Sequence, residues 1–240
     1  MADTFQIIYR FTLPDKAQIA FDLVFNAETV ELLHEESDKP PLWAELDHAQ
    51  CPNCRLNPAD HPYCPVALNL VPAIERFDHL MSFDKIVVEV ITPERRVVQK
   101  TSAQEGISSL MGLLIAGSSC PATHFFKPMA RFHLPFANKD ETMWRAAATF
   151  LLARFFTEDG LQEKDLDLSG LITVYHDVAK LNDAMVDRLR SATSKDSTVN
   201  ALVHLDVFAK FLTPPLEDTL AHIKPIFDPF LVGIKHTTKQ

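Results

Sequence analysis

Apolar and polar positions alternate at the start of the chain. Ile7, Tyr9 and Phe11 share one face of a segment running from Phe5 to Phe11. Ile19, Phe21, Leu23 and Phe25 repeat the pattern with mostly polar or small neighbours. A period of two marks half-buried strands. The intervening Leu13-Pro14-Asp15-Lys16 is a turn sequence, with Pro fixing φ and Asp offering a local acceptor. These segments predict an antiparallel hairpin. A second hairpin is expected from Lys85 to Thr92 and Arg95 to Thr101, around Pro93-Glu94. Its Val87-Val88 and Val97-Val98 are β-branched, as strands prefer. Glu28 to Glu36 is expected to form a short helix.

The period changes in the second half. Ser102 to Ile115 predicts a helix opened by a capping box, with Ser102 at the N-cap and Glu105 three residues on. Asp140 to Thr157 predicts another, with Trp144, Ala148, Leu151 and Phe155 as its apolar stripe. Leu166 to Arg190 follows, with Leu171, Val174, Val178, Leu181 and Met185 at steps of three and four. Further helices are expected over Asp196 to Leu212 and after Pro214-Pro215, the last carrying Leu216, Leu220, Ile223 and Phe227. An earlier helix, about Val66 to His79, is bent near Pro72, and the tail from Lys235 to Gln240 is expected to fray. Strands come early and helices late, so the order predicts an α+β fold rather than alternating α/β. Residues 1–240 read as one domain. Its first part, 1–101, is mostly antiparallel hairpins with a cysteine-containing loop, and 102–235 is mostly helical.

Composition narrows the functional classes. The net charge is -9, with 23 Lys and Arg against 32 Asp and Glu. Phosphate contacts need clustered cations, so nucleic acid is not an expected partner, whereas a protein partner remains open. No basic n-region with an apolar stretch opens the chain, and no apolar run approaches the ~20 residues of a membrane span. The expectation is a cytoplasmic protein without membrane association. With six glycines and no Gly-rich phosphate loop, neither the Rossmann nor the P-loop fingerprint is present.

The chemistry concentrates in a proline-marked loop from Lys39 to Pro65. Cys51, Cys54 and Cys64 follow a C-x2-C-x9-C spacing, and 55 residues separate Cys64 from Cys120. In a reducing compartment, spaced cysteines read as metal or redox groups before disulfides. Two thiolates two residues apart on a turn can share one tetrahedral ion. Cys51, Cys64 and Cys120 each precede a proline, which rigidifies the chain at the ligand. The leading expectation is therefore a four-cysteine zinc site in a binding or regulatory protein. The alternative is an iron–sulfur cluster, for which four cysteines suffice although the ferredoxin spacings are absent. A dithiol redox pair ranks below both, because no βαβ pattern precedes the C-x-x-C. Ordinary buried cysteines are the plainest alternative. His48, His61 and His124 lie close in sequence and read as loop or supporting groups more readily than as ligands.

Arg131 and His133 alternate with apolar residues in Arg131-Phe132-His133-Leu134-Pro135-Phe136. They fit an anion site on a strand face, but polar residues pointing outward from an edge strand explain them better. A metal-dependent hydrolase using His133 or Arg131 is the remaining alternative. It is disfavoured because a catalytic zinc keeps an open position beside three protein ligands. Whether the protein is an enzyme stays open. His176-Asp177 and His204 with Asp206 are too close in helical sequence to face one another as dyads.

The run from Cys120-Pro121-Ala122-Thr123 through Pro128-Met129-Ala130-Arg131-Phe132-His133-Leu134-Pro135-Phe136 to Glu141-Thr142 resembles a bacterial family known as a domain of unknown function. The resemblance covers most of the chain, including the Cys51–Cys64 loop. It implies a bacterial, cytosolic protein and transfers no activity and no catalytic residue.

Overall fold

The computed structural model describes residues 3–33, 39–157, 168–193, 196–211, 220–221 and 223–231. Five strands form one antiparallel sheet: β1 (Thr4–Thr12), β2 (Gln18–Asn26), β3 (Leu32–Leu33), β4 (Lys85–Ile91) and β5 (Arg96–Ser102), in the order β3-β2-β1-β4-β5. The helices are α1 (Pro65–Phe77), α2 (Ala103–Ala116), α3 (Lys127–Arg131), α4 (Lys139–Phe155), α5 (Ser169–Ala192) and α6 (Ser197–Phe211). The fold is α+β, with a sheet in the N-terminal half and helices in the C-terminal half.

Alternation decides which sheet face is covered. Phe5, Ile7, Tyr9 and Phe11 of β1 are buried beside Phe21, Leu23 and Phe25 of β2 and Ile86, Val88 and Val90 of β4. The opposite face carries Arg10, paired in register with Glu89 and ion-paired to it, while Arg96 of β5 also bonds Glu89. Helices α1 and α2 cover the apolar face. Phe77 of α1 packs edge-on against Phe11, with ring centroids 4.8 Å apart. The approach of α2 to the sheet requires Gly106, because a Cβ there would lie 2.8 Å from side-chain carbons of both Ile86 and Val88. Ser102 caps α2 with the expected capping box, its hydroxyl accepting from the Glu105 amide and the Glu105 carboxylate accepting from the Ser102 amide. One buried cluster continues from the sheet through α1 and α2 to Met185 and Leu189 of α5 and Leu202 of α6. A second, around Met143, Ala146, Leu171 and Tyr175, joins α4 to α5.

Three expectations are corrected. Glu28 to Glu36 does not open as a helix. Asn26 Oδ1 accepts from the amides of Glu28 and Thr29, closing a local turn, Val30 takes φ 56°, and Leu32–Leu33 pairs with β2. Asparagine offers the backbone this alternative to a helix. Residues 34–38 of that segment lie outside the described residues. Arg131 to Phe136 is not a strand, since α3 ends at Arg131 and a turn follows. Finally, Trp144 and Phe155 of α4 are exposed, and the helix buries Met143 and Ala146 instead. This helix carries apolar residues on more than one face, so its periodicity admits two stripes. The body of the helix expected after Pro214-Pro215 and the tail from Lys235 lie outside the described residues. Within them a 3-10 turn forms at Lys224–Ile226. No helix among the described residues is long and apolar enough to cross a membrane.

Candidate metal centre

The proline loop closes on itself before entering α1. The Cys54 amide donates to the Cys51 carbonyl at 3.0 Å, turning the C-x-x-C segment. The amides of Leu46 and Cys64 donate to the carbonyls of Pro62 and Ala44, holding the loop's two limbs side by side. Cys64 stands at the N-cap of α1, with Pro65 in the first helical position, where the missing N–H costs nothing. Cys120 is the N-cap of a 3-10 turn, Pro121–Phe126, and Pro121 follows it in the same way. The Thr123 hydroxyl donates to the Cys120 carbonyl at 2.9 Å, and the Ser118 hydroxyl accepts from the Cys120 amide. Proline and short side-chain bonds thus fix the backbone at both distant cysteines.

All four cysteines line one cavity of about 170 Å³, together with Leu46, Val66, Phe125, Val174 and Leu181. Cys64 and Cys120 are buried, Cys51 and Cys54 are partly so, and all four thiols are free. The 55 residues between Cys64 and Cys120 therefore do not keep them apart. Among the described residues, no group of three or more His, Cys, Asp or Glu side chains is placed to hold a metal ion. Burial pushes the Cys51 thiol up to about 12, and the neighbouring Cys64, Cys54 and Cys120 add to it. Burial likewise raises Cys120 to about 11, against a hydrogen bond from the Ala122 backbone. Clustered thiols hold their protons until a cation takes their place.

Arg188 of α5 is the site residue that motif reasoning misses. It is fully buried. Its Nη1 donates to the carbonyls of Trp43 and Glu45, and its Nη2 donates to Leu46 at 2.8 Å. Among the described residues it has no carboxylate partner, and its Nε has no acceptor. Its positive charge opposes the upward shift at Cys51, so the guanidinium lies within electrostatic reach of the thiols. A periodicity signal for it exists. Extending the stripe Leu171, Val174, Val178, Leu181, Met185 by three residues lands on position 188.

The other candidates lie elsewhere. His48, His61 and His124 do not line the cavity, and His48 bonds the Ser191 hydroxyl at 3.0 Å. Arg131 stacks over the rings of Phe5 and Phe132 and pairs with Glu94 at 3.5 Å. His133 Nε2 bonds the Tyr9 hydroxyl at 2.6 Å and faces a different cavity. Neither Arg131 nor His133 joins the cysteines.

A family model described as Domain of unknown function (DUF6901) matches residues 7–228, and the chain belongs to that family. No curated protein matches the chain, and no solved structure matches it.

Proposed function

We propose, for this member of a family without an assigned activity, that Cys51, Cys54, Cys64 and Cys120 hold one metal centre and that the protein works through it in binding or regulation. The observation that carries the reading is the convergence of four free thiols, distant in sequence, on one cavity. Arg188 supports it. An uncompensated buried cation is costly, and a four-thiolate centre supplies the missing negative charge. A cytoplasmic location belongs to the same reading, since the thiols must stay reduced. So does a protein partner on which a binding role would act.

Two occupants fit the chemistry. Zinc in a closed four-thiolate shell is the first, and it would tie the proline loop to the start of the helical half. The second is an iron–sulfur cluster, for which four cysteines suffice. A cluster held by four cysteines would serve electron transfer or redox sensing.

The test is metal and sulfide content with an ultraviolet–visible spectrum, on full-length protein purified without oxygen. One zinc per chain without colour is the expected result. Iron with acid-labile sulfide and a brown colour would retain the four-cysteine centre and replace the structural ion by a cluster. Absence of both metals, together with a Cys51→Ser protein as stable as the wild type, would overturn the reading.

A further inference from the structure

A second cavity, of about 380 Å³, lies among α2, the Phe126–Ala137 segment, the start of α4, α5 and α6. It does not involve the cysteines. Its volume falls within the ~300–1,000 Å³ of small-molecule sites, which combine apolar walls with a few convergent polar groups.

The walls are mostly aliphatic and aromatic. The lining also carries polar and charged groups, Glu105, His133, Arg145 and His204 among them. Tyr175 and Asn182 of α5 are 4% and 3% exposed, and both line the cavity. They are seven residues apart, with Val178 between them, so one helix face presents all three. Among the described residues, neither the Tyr175 hydroxyl nor the Asn182 amide has a hydrogen-bond partner. Their polar atoms are not sealed from solvent, so both open onto the cavity, where a ligand can meet them. Arg145 of α4 lines the same space. Its Nη2 donates to the carbonyls of Met129 and Phe132, and it has no carboxylate ion pair among the described residues. Its charge acts on Tyr175, opposing the upward shift that burial gives the phenol. A half-buried cation and a phenol donor around one apolar space match a carboxylate head with a hydrocarbon body.

We propose that this cavity binds a small amphipathic carboxylic acid, its carboxylate held by Arg145 and Tyr175 and its apolar part by Phe126, Met129 and Val178. The reading goes beyond the metal centre and stands whether or not that centre exists.

The experiment is calorimetric titration of the full chain, as purified, with decanoate, 1-decanol and acetate. Decanoate is expected to bind one per chain, with decanol and acetate at least tenfold weaker. Tyr175→Phe is the informative variant. It removes a hydroxyl that is unpartnered in the free protein, so thermal stability should be unchanged while decanoate affinity falls about tenfold, as for a hydrogen bond to a charged group. Arg145→Gln should remove the preference for decanoate over decanol. Decanol binding as tightly as decanoate, no binding of decanoate, or unchanged decanoate affinity in a folded Tyr175→Phe protein would each overturn the proposal.

Discussion

Arg188 links the fold to the candidate centre through one side chain. It satisfies the carbonyls of Trp43, Glu45 and Leu46, which otherwise face the interior at the root of the cysteine loop. Replacing it with methionine keeps much of the volume and removes all of those donors. An unsatisfied buried polar group costs ~1–3 kcal/mol, so Arg188→Met is expected to lose about 3 kcal/mol or more in urea unfolding. The loss should be larger in metal-loaded protein, where the thiolates also lose their counter-charge. A variant as stable as the wild type would remove Arg188 from this role. The cysteines were legible in the sequence because C-x-x-C spacing and Cys-Pro pairs are local signals. Arg188 was not, because it sits in Asp187-Arg188-Leu189-Arg190, where a charged residue reads as solvent-facing. Only the helical period betrays it. Tyr175 and Asn182 hide similarly, one residue beyond Val174 and Leu181 of the recognised stripe.

Among the elements, those governed by short-range rules were readable in advance. The alternating strands of β1, β2 and β4 and the capping box of α2 are set by pattern and by one side-chain bond. The segment after α3 was not readable as it folds, because tertiary contacts shape it. Arg131 and His133 alternate with apolar residues as a strand would, yet the turn beyond α3 packs His133 against β1, where Nε2 bonds Tyr9 and the Ser109 hydroxyl bonds the same phenol. Burial, with a smaller effect from Arg145, pushes the His133 imidazole down from 6.5 to about 3. The sign of the consequence follows. Between these values the unfolded chain takes up a proton that the folded chain refuses, so unfolding gains as pH falls. The neutral histidine's contribution is fully present above 6.5 and is lost as pH falls toward 3. Urea unfolding at pH 7, 5 and 4 should show a decline that is shallower in His133→Gln, whose amide can still bond Tyr9. An identical slope in the variant would mean that other groups carry the acid sensitivity.

At the scale of the molecule, α5 is the wall shared by both cavities. Val174, Asp177 and Leu181 face the cysteines, while Tyr175, Val178 and Asn182 face the second cavity. Phe125 and Phe126 divide in the same way, and both rings meet Tyr175 edge-on. The sheet with α1 and α2 forms a continuous apolar core, which Cys64 and Cys120 join and against which Cys51 and Cys54 pack. The cysteine loop differs. Its root at 43–46 is held by Arg188, but from 47 to 62 its hydrogen bonds to α5 among the described residues are the His48–Ser191 bond and a 3.3 Å bond from Asn53 to the Asp177 carbonyl. Regions with few buried contacts open at low free energy. Removing the metal should therefore loosen the loop selectively instead of unfolding the protein. Amide hydrogen exchange before and after anaerobic chelation would measure this. Exchange should rise at 47–62 and near Cys120 while β1, β2 and β4 stay protected. A uniform rise across the sheet would make the centre a condition of the whole fold. No change anywhere would detach the loop's order from any metal, and the four thiols would then be holding themselves in place by packing alone.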